Sequence, residues 1–328
     1  GSWQVPDASA SVGTVTVTPA TWTQPGGYKF GFKKAPSNLV KLSSFTAPTG
    51  LTSVSPFRIN SNADFTSGNH VSAGAGTLAS PWIIENLEVN ASGKSFGIYI
   101  GNTTDYFIIR NCYVHDAAGG VFDFLYSPDS AIVLTNVNHG TVVSNTLYSN
   151  GWSAVYATGS QNLNISKNTA VASYYAIYLS GTDNSVIANN TLSWNNAGIF
   201  IDPSSGNFIN NNTAENGSIG IMLVASTGST LTYNDVLSNN QGFFLAGTSG
   251  NTLHHNDIIS NGGQAYDDGT DNWDTGSVGN YWSDYTGVDA NSNGIGDTPY
   301  TSSTGQGITG GANQDNYPIM IATDFTPP

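Results

Sequence analysis

Asp235 and Asp257 occupy equivalent positions of a repeated phrase, with Tyr233, His254 and His255 beside them. If equivalent positions stack in space, the two carboxylates lie about 5 Å apart, approaching the ~5–5.5 Å of retaining glycosidases. Such closeness raises the proton affinity of one of them. Asp235, Asp257 and His255 are therefore the candidate catalytic groups, with Asp267 and Asp268 on the strand that follows. A plain turn role, with solvent or a bridging cation quieting the pair, is the competing reading, since Asp is a common turn residue. A lyase-type proton abstraction fits less well. It needs a basic residue and cations around a uronate, and only Lys167 lies beyond Arg110.

A second series recurs every 22 residues: Tyr156, Tyr178, Phe200, Met222, Phe244 and Tyr266. Ile177 and Leu179 flank Tyr178, and Ile199 and Ile201 flank Phe200. Alternation along a strand then turns the rings to the side opposite the aliphatic residues. Stacked rings on an outer face make a platform for sugar rings or an apolar patch for a partner. The alternative is that residues 1–53 or a loop cover them. Tyr156, Tyr178, Phe200, Phe244 and Tyr266 are the candidate ligand-binding residues.

A third pattern is Asp289, Asn291, Asn293, Gly294, Ile295 and Asp297. Oxygen side chains at positions 1, 3, 5 and 9 with Gly at 6 follow a calcium-loop pattern, the Ile295 carbonyl adding a ligand. Position 12 holds Tyr300 instead of Glu, so the loop is not an EF-hand. A simple Asn/Gly loop is the alternative. Calcium, in a structural role, is the cofactor expected.

These residues need a scaffold that puts every twenty-second residue in register, and the sequence describes one. The last asparagines of the repeated phrase are Asn145, Asn168, Asn190, Asn212, Asn234 and Asn256, with Val142, Ile165, Ile187, Ile209, Leu231 and Leu253 three residues before them. Each unit holds short runs of alternating apolar and polar residues broken by Gly, Asn and Ser, which read as strands and tight turns. No window shows a capped helical period, and 22 residues are too few for a strand–helix–strand unit. A leucine-rich solenoid lacks its Leu-x-x-Leu-x-Leu signature. The fold class is all-β: a right-handed parallel β-helix of ~22-residue coils stacked at about 4.8 Å, with a C-terminal cap. The recurring Asn tolerates left-handed turns, and stacked copies form an amide ladder.

The chain has 328 residues, of which 22 are acidic and 8 basic, for a net charge of −14. That balance excludes nucleic acid and anionic lipid as partners. Six sequons, at Asn90, Asn102, Asn164, Asn189, Asn211 and Asn216, permit a glycoprotein if the chain is secreted. Cys112 is the single cysteine, so no internal disulfide forms, and it reads as a small buried residue. No secretory leader or membrane-spanning run stands in these residues, and Gly1-Ser2 reads as a cloning scar on a mature or trimmed chain.

Three regions are expected: an N-terminal arm or small strand segment at 1–54 packing on the solenoid, the β-helix at 55–266, and a cap at 267–328 carrying the calcium-type loop. Thr14–Thr18 and Tyr28–Lys33 read as strands of the arm. Residues from Pro56 onward read as the cover of the first open edge. The step from Asn111 to Asn145 exceeds a coil, so a loop projects within 112–140, a stretch holding His115, Asp116, Asp123, Tyr126, Asp129 and His139. Loops on a rigid scaffold are where function concentrates.

The opening Ile59-Asn60, Phe65, Gly76-Thr77 and Pro81-Trp82-Ile83-Ile84-Glu85 is one half of a resemblance. The other half is the close, Gly279-Asn280-Tyr281-Trp282-Ser283-Asp284-Tyr285, Asp297-Thr298-Pro299-Tyr300 and Asp315-Asn316-Tyr317-Pro318. Together with the coils they resemble the NosD-type β-helix proteins over 55–321, a family of periplasmic repeat proteins described as copper-binding and of many archaeal surface proteins. The resemblance implies a right-handed β-helix of the carbohydrate-binding and sugar-hydrolase type, secreted or surface-attached. Fold likeness implies activity only weakly. Copper fits poorly, because two Met, one Cys and five scattered His make no soft-ligand cluster.

The expected protein is thus an extracellular or cell-surface β-helix that binds a polysaccharide or surface glycan, or builds a surface layer. The alternatives are a glycoside hydrolase acting on a neutral polysaccharide through Asp235 and Asp257, and a structural subunit that self-associates through the aromatic face.

Overall fold

The computed structural model describes residues 46–119, 129–302 and 307–322, and the backbone of two short strands, Trp22–Thr23 and Lys29–Phe30. Those two strands pair antiparallel. The Thr14–Thr18 strand expected in the arm lies outside the described residues, as do Asp123 and Tyr126.

The rest is a parallel β-solenoid with three sheets of ten, nine and ten strands. Sheet 1 runs from Thr52–Val54 to Tyr281–Trp282, sheet 2 from Trp82–Glu85 to Thr270–Asn272, and sheet 3 from Phe57–Ile59 to Ile308–Thr309. Register follows the sequence period: Ile165 pairs with Ile187, Ile187 with Ile209, and Ile209 with Leu231. The aliphatic residue at the centre of each short strand faces the lumen, and Ile165, Ile187, Ile209, Leu231 and Leu253 are fully buried there. Each coil supplies apolar surface that only its neighbours can cover, so stability accrues along the axis.

The corners account for the asparagines. From Asn145 to Asn256 the residue before the ladder Asn adopts left-handed backbone, at Ser144, Lys167, Asn189, Asn211, Tyr233 and His255. That bend turns the next residue inward, and Asn145, Asn168, Asn190, Asn212, Asn234 and Asn256 are all buried. Each amide Nδ2 reaches the Oδ1 of the next coil, at 2.8–3.0 Å between Asn145 and Asn280. Turn and ladder are therefore separate residues, where the sequence reading gave both roles to one. One coil earlier, Asn111 is the asparagine that the sequence offers for this slot. Asn111 takes the bend, and Cys112 takes the ladder position, its N–H donating to Asn145 Oδ1. Burial pushes the Cys112 thiol up to about 11, so it is an inert part of the core.

The other two corners carry ladders that the sequence reading missed. One runs through Asn239 and Asn261, and another through Ser185, Asn207, Ser229 and Asn251. The signal was present as Asn and Ser at fixed positions of the 22-residue unit, but short polar residues are common in turns and did not stand out.

Regular stacking changes at Asp267, which pairs with Leu245 and is fully buried. Beyond it the chain still adds a strand to each sheet, closed by Trp273, Trp282 and Tyr300, which join the lumenal core. Two buried carboxylates fasten this end: Asp267 accepts from Trp273 Nε1 at 2.8 Å and Asp315 from Trp282 Nε1 at 2.9 Å.

Candidate functional site

The rings of the 22-residue series stand on the outer face of sheet 3, in register from Tyr99 and Val133 through Tyr156, Tyr178, Phe200, Met222 and Phe244 to Tyr266. They belong to clusters distinct from the lumenal core. Tyr178 stacks on Phe200 at 4.6 Å and 15°, and Phe244 on Tyr266 at 4.7 Å and 9°. The row is not an open platform along its whole length. Phe200 is 1% exposed, Tyr156 and Met222 are buried, and Tyr178, Phe244 and Tyr266 are half-buried. Burial drives the Tyr178 hydroxyl above the ordinary phenol range, with Asp202 and Tyr156 adding to it.

Three further aromatic residues extend this surface. Trp152 and Tyr174 lie parallel at 5.4 Å and 2°, and both are half-buried. Tyr175 meets Trp152 edge-on at 5.1 Å and Phe200 at 5.0 Å. At the N-terminal end the Arg58 guanidinium sits 4.1 Å over the Tyr99 ring. Trp152 and Tyr174 occupy the same slot of successive units, so the period that exposed the main series also held this pair.

The second candidate site is brought together in register. Asp235 and Asp257 pair directly on the outer face of sheet 1, continuing the row of Thr146, Thr169, Thr191 and Thr213. Asp257 is 3% exposed and its other neighbour is Tyr281. His255 does not stand on that row. It occupies the bend, its ring tilted on Tyr233 at 4.8 Å and its Nδ1 2.7 Å from His254 Nδ1. One of those nitrogens carries the shared proton and the other accepts it. Burial lowers the proton affinity of both rings, and each protonated ring would repel the other.

The 289–297 loop closes on itself. Asp289 accepts from the Asn293 and Gly294 N–H groups, Asn293 Oδ1 from the Ile295 N–H, and Asp297 from the Ala290 N–H and Asn291 Nδ2. These contacts leave the side-chain oxygens of Asp289, Asn291, Asn293 and Asp297 and the Ile295 carbonyl on one short loop. Among the described residues no group of three or more His, Cys, Asp or Glu is placed to hold a metal ion. Nor is any helix among them long and apolar enough to cross a membrane.

The long step at 112–140 is an insertion at the corner between sheets 1 and 3. Tyr113 pairs with Thr146 and Thr103 with Val137, so the extra residues fall between Ala118 and Ser130. His115 precedes the insertion on sheet 1, whereas His139 lies at another corner, stacked on Tyr106 at 4.2 Å.

No curated protein matches this chain. Among solved structures it is similar to a double mutant of the periplasmic alginate epimerase AlgG, at 18% identity over 58% of this chain and 57% of that one, TM-score 0.49. It is similar also to DFA-IIIase from Arthrobacter chlorophenolicus A6, at 14% over 59% and 55%, TM-score 0.48. A third is endopolygalacturonase I from Stereum purpureum, at 16% over 64% and 68%, TM-score 0.46. The chain spans little more than half the length of the first two, and likeness at this level says nothing of chemistry. The sequence pattern of the family described as "Periplasmic copper-binding protein (NosD)" matches twice, over 58–207 and 89–287, so this chain of in-register coils belongs to the NosD family.

Proposed function

We propose that the chain is a secreted or cell-surface β-helix that binds a neutral polysaccharide or surface glycan along the outer face of sheet 3. The observation behind this reading is the row of stacked rings in strict register, flanked by the Trp152–Tyr174 pair. Aromatic faces hold the C–H faces of sugar rings without needing charge, which suits a chain of net charge −14. Phe200 supports the row from within, so Phe200→Ala costs stability. Tyr178 and Tyr266, half-buried, are the rings to test. Tyr266→Ala is expected to weaken glycan binding about tenfold with an unchanged melting temperature, read by calorimetric titration with the polysaccharide that binds most tightly. A structural subunit that self-associates through this face would instead show a concentration-dependent size that Tyr266→Ala abolishes.

Copper does not fit. The thiol of Cys112 is buried, Met222 is packed in the aromatic row, and the His254 and His255 nitrogens engage each other. A soft metal needs several such donors converging on one point.

The rival reading is a glycoside hydrolase using Asp235 and Asp257, and the direct pairing of the two residues favours it. Under that reading Asp235→Asn and Asp257→Asn each abolish release of reducing ends from a bound polysaccharide. Full release by both variants rules the pair out.

The 289–297 loop is proposed as a structural calcium site that tethers the cap. Binding to the folded state alone adds about 2.7 kcal/mol at a hundredfold excess of calcium over its dissociation constant. Calcium should raise the melting temperature, a chelator lower it, and Asp289→Ala remove the difference. An unchanged melting temperature in millimolar calcium contradicts the proposal.

A further inference from the structure

A cluster of titratable groups lies outside the aromatic row, on the outer face of sheet 1 where Tyr113–Ala118 runs beside Leu87–Ser92. His115 is 8% exposed and its ring lies on Tyr113 at 4.3 Å and 18°. Its Nδ1 is 2.8 Å from Asp116 Oδ2. An ionised carboxylate can only accept, so Nδ1 carries a proton, and when the ring is neutral Nε2 presents a lone pair. That Nε2 is buried and has no hydrogen-bond partner, while Glu88 Oε1 stands 3.7 Å from it. The gap is too wide for a hydrogen bond. With the ring neutral, two acceptors face each other with no donor between them, and a buried acceptor without a donor is a position awaiting one.

Both acceptors are held in place from behind. Glu88 Oε2 accepts from Ser53 Oγ at 2.6 Å, which turns Oε1 toward the imidazole. Asp116 has φ +58, a left-handed backbone that residues with a Cβ seldom adopt, and this conformation keeps its carboxylate on Nδ1. Glu88 and Asp116 are partly exposed, whereas His115 is buried, so the carboxylates are the part of the cluster that meets solvent. One corner of the coil joins the cluster's sheet to the aromatic surface. His115 pairs with Tyr148, the Gly151 N–H donates to the Ala117 carbonyl, and Trp152 follows at the same corner.

We propose that Glu88 and His115 form a subsite for a vicinal diol of a sugar ring, one hydroxyl donating to His115 Nε2 and its neighbour to Glu88 Oε1. Asp116 is the positioning residue that fixes the tautomer. The inference rests on the glycan reading and deepens it: the rings take the face of the saccharide and this subsite takes its hydroxyl edge. A hydroxyl held on Nε2 is polarised by the Asp116–His115 pair, so the subsite selects hydroxylated saccharides over apolar ligands of the same shape. Sequence reading noticed His115 and Asp116 near the projecting loop but had no means to supply Glu88, which comes from the preceding coil.

The test is nitrogen-detected NMR of the histidine rings, with His115 assigned from His115→Phe, a change that keeps a ring on Tyr113. The probes are methyl glucoside, methyl galactoside and methyl mannoside, each added in large excess. At a pH where the ring is neutral, the expected spectrum has the proton on Nδ1, and the Nε2 resonance moves saturably as glycoside is added. In Glu88→Gln the side-chain amide can itself donate to Nε2, so the apparent dissociation constant should rise about tenfold. A proton on Nε2 in the neutral ring overturns the subsite. So does an Nε2 resonance indifferent to all three glycosides while polysaccharide binding still depends on Tyr266, and in that case the glycan reading survives. If the His115 resonance responds but Tyr266→Ala leaves polysaccharide binding untouched, the subsite stands and the aromatic row fails.

Discussion

Replacing Asn190 with alanine is expected to destabilise the solenoid by about 3–5 kcal/mol, close to the largest loss a single substitution produces. Asn190 Oδ1 accepts from the Asn168 N–H at 2.9 Å and from Asn168 Nδ2 at 3.0 Å. Its own Nδ2 donates to Asn212 Oδ1 at 2.8 Å and to the Ile165 carbonyl at 2.9 Å. Alanine removes both side-chain atoms and strands groups of the two neighbouring coils where water does not reach. Each buried polar group left unsatisfied costs about 1–3 kcal/mol, and several are stranded at once. Thr191→Ala is the control. Its side chain is exposed on the next position, so a change within about 0.5 kcal/mol is expected. Chemical denaturation of both variants checks this. Equal midpoints would mean that the ladder contributes nothing beyond the lumenal aliphatics.

The second large effect lies at the C-terminal end. Trp282→Ala should cost about 3–5 kcal/mol, because the ring is 1% exposed and stacks on Tyr300 at 4.1 Å. Its loss also removes an N–H from the buried Asp315, which further accepts from the Asn280 N–H at 2.7 Å and the Tyr317 N–H at 3.0 Å. Those donors favour the carboxylate, but burial outweighs them and pushes Asp315 up to about 6 from 3.8. A carboxyl raised in this way binds its proton more tightly folded than unfolded. Its contribution to stability is therefore fully present below pH 3.8 and lost as pH rises through about 6. The cap should be firmer at pH 5 than at pH 7.5, and Asp315→Asn should flatten that part of the profile. A wild-type protein that loses stability steadily from pH 7.5 to pH 5, with Asp315→Asn following the same curve, contradicts the assignment.

How much of this could be read beforehand depends on how local the cause is. The 22-residue period fixes coil stacking, because it sets Asn168 against Asn190 and Ile165 against Ile187, whereas a shifted register would bring polar residues against apolar ones. The lumenal row and the outward direction of Tyr178 and Phe200 follow from alternation about the same aliphatics. The burial of Phe200 does not follow, since it depends on what stands beside and above the ring. The left-handed bends at Tyr233 and Lys167 were also invisible, as neither residue type favours that backbone. The coil shape imposes it there. The Cys112 slot was missed because a thiol has replaced the amide at the point where the ladder begins. Glu88, His115 and Asp116 meet across coils of unequal length, beyond the reach of any fixed spacing.

The reading of this chain as a glycan-binding β-helix is tested most directly by a glycan array probed with the wild-type protein and Tyr266→Ala, followed by a reducing-end assay on every glycan bound. The account predicts selective binding to neutral polysaccharides by the wild type, a signal about tenfold weaker for the variant, and no release of reducing ends. A wild-type protein that binds no glycan on the array, while remaining folded, contradicts it.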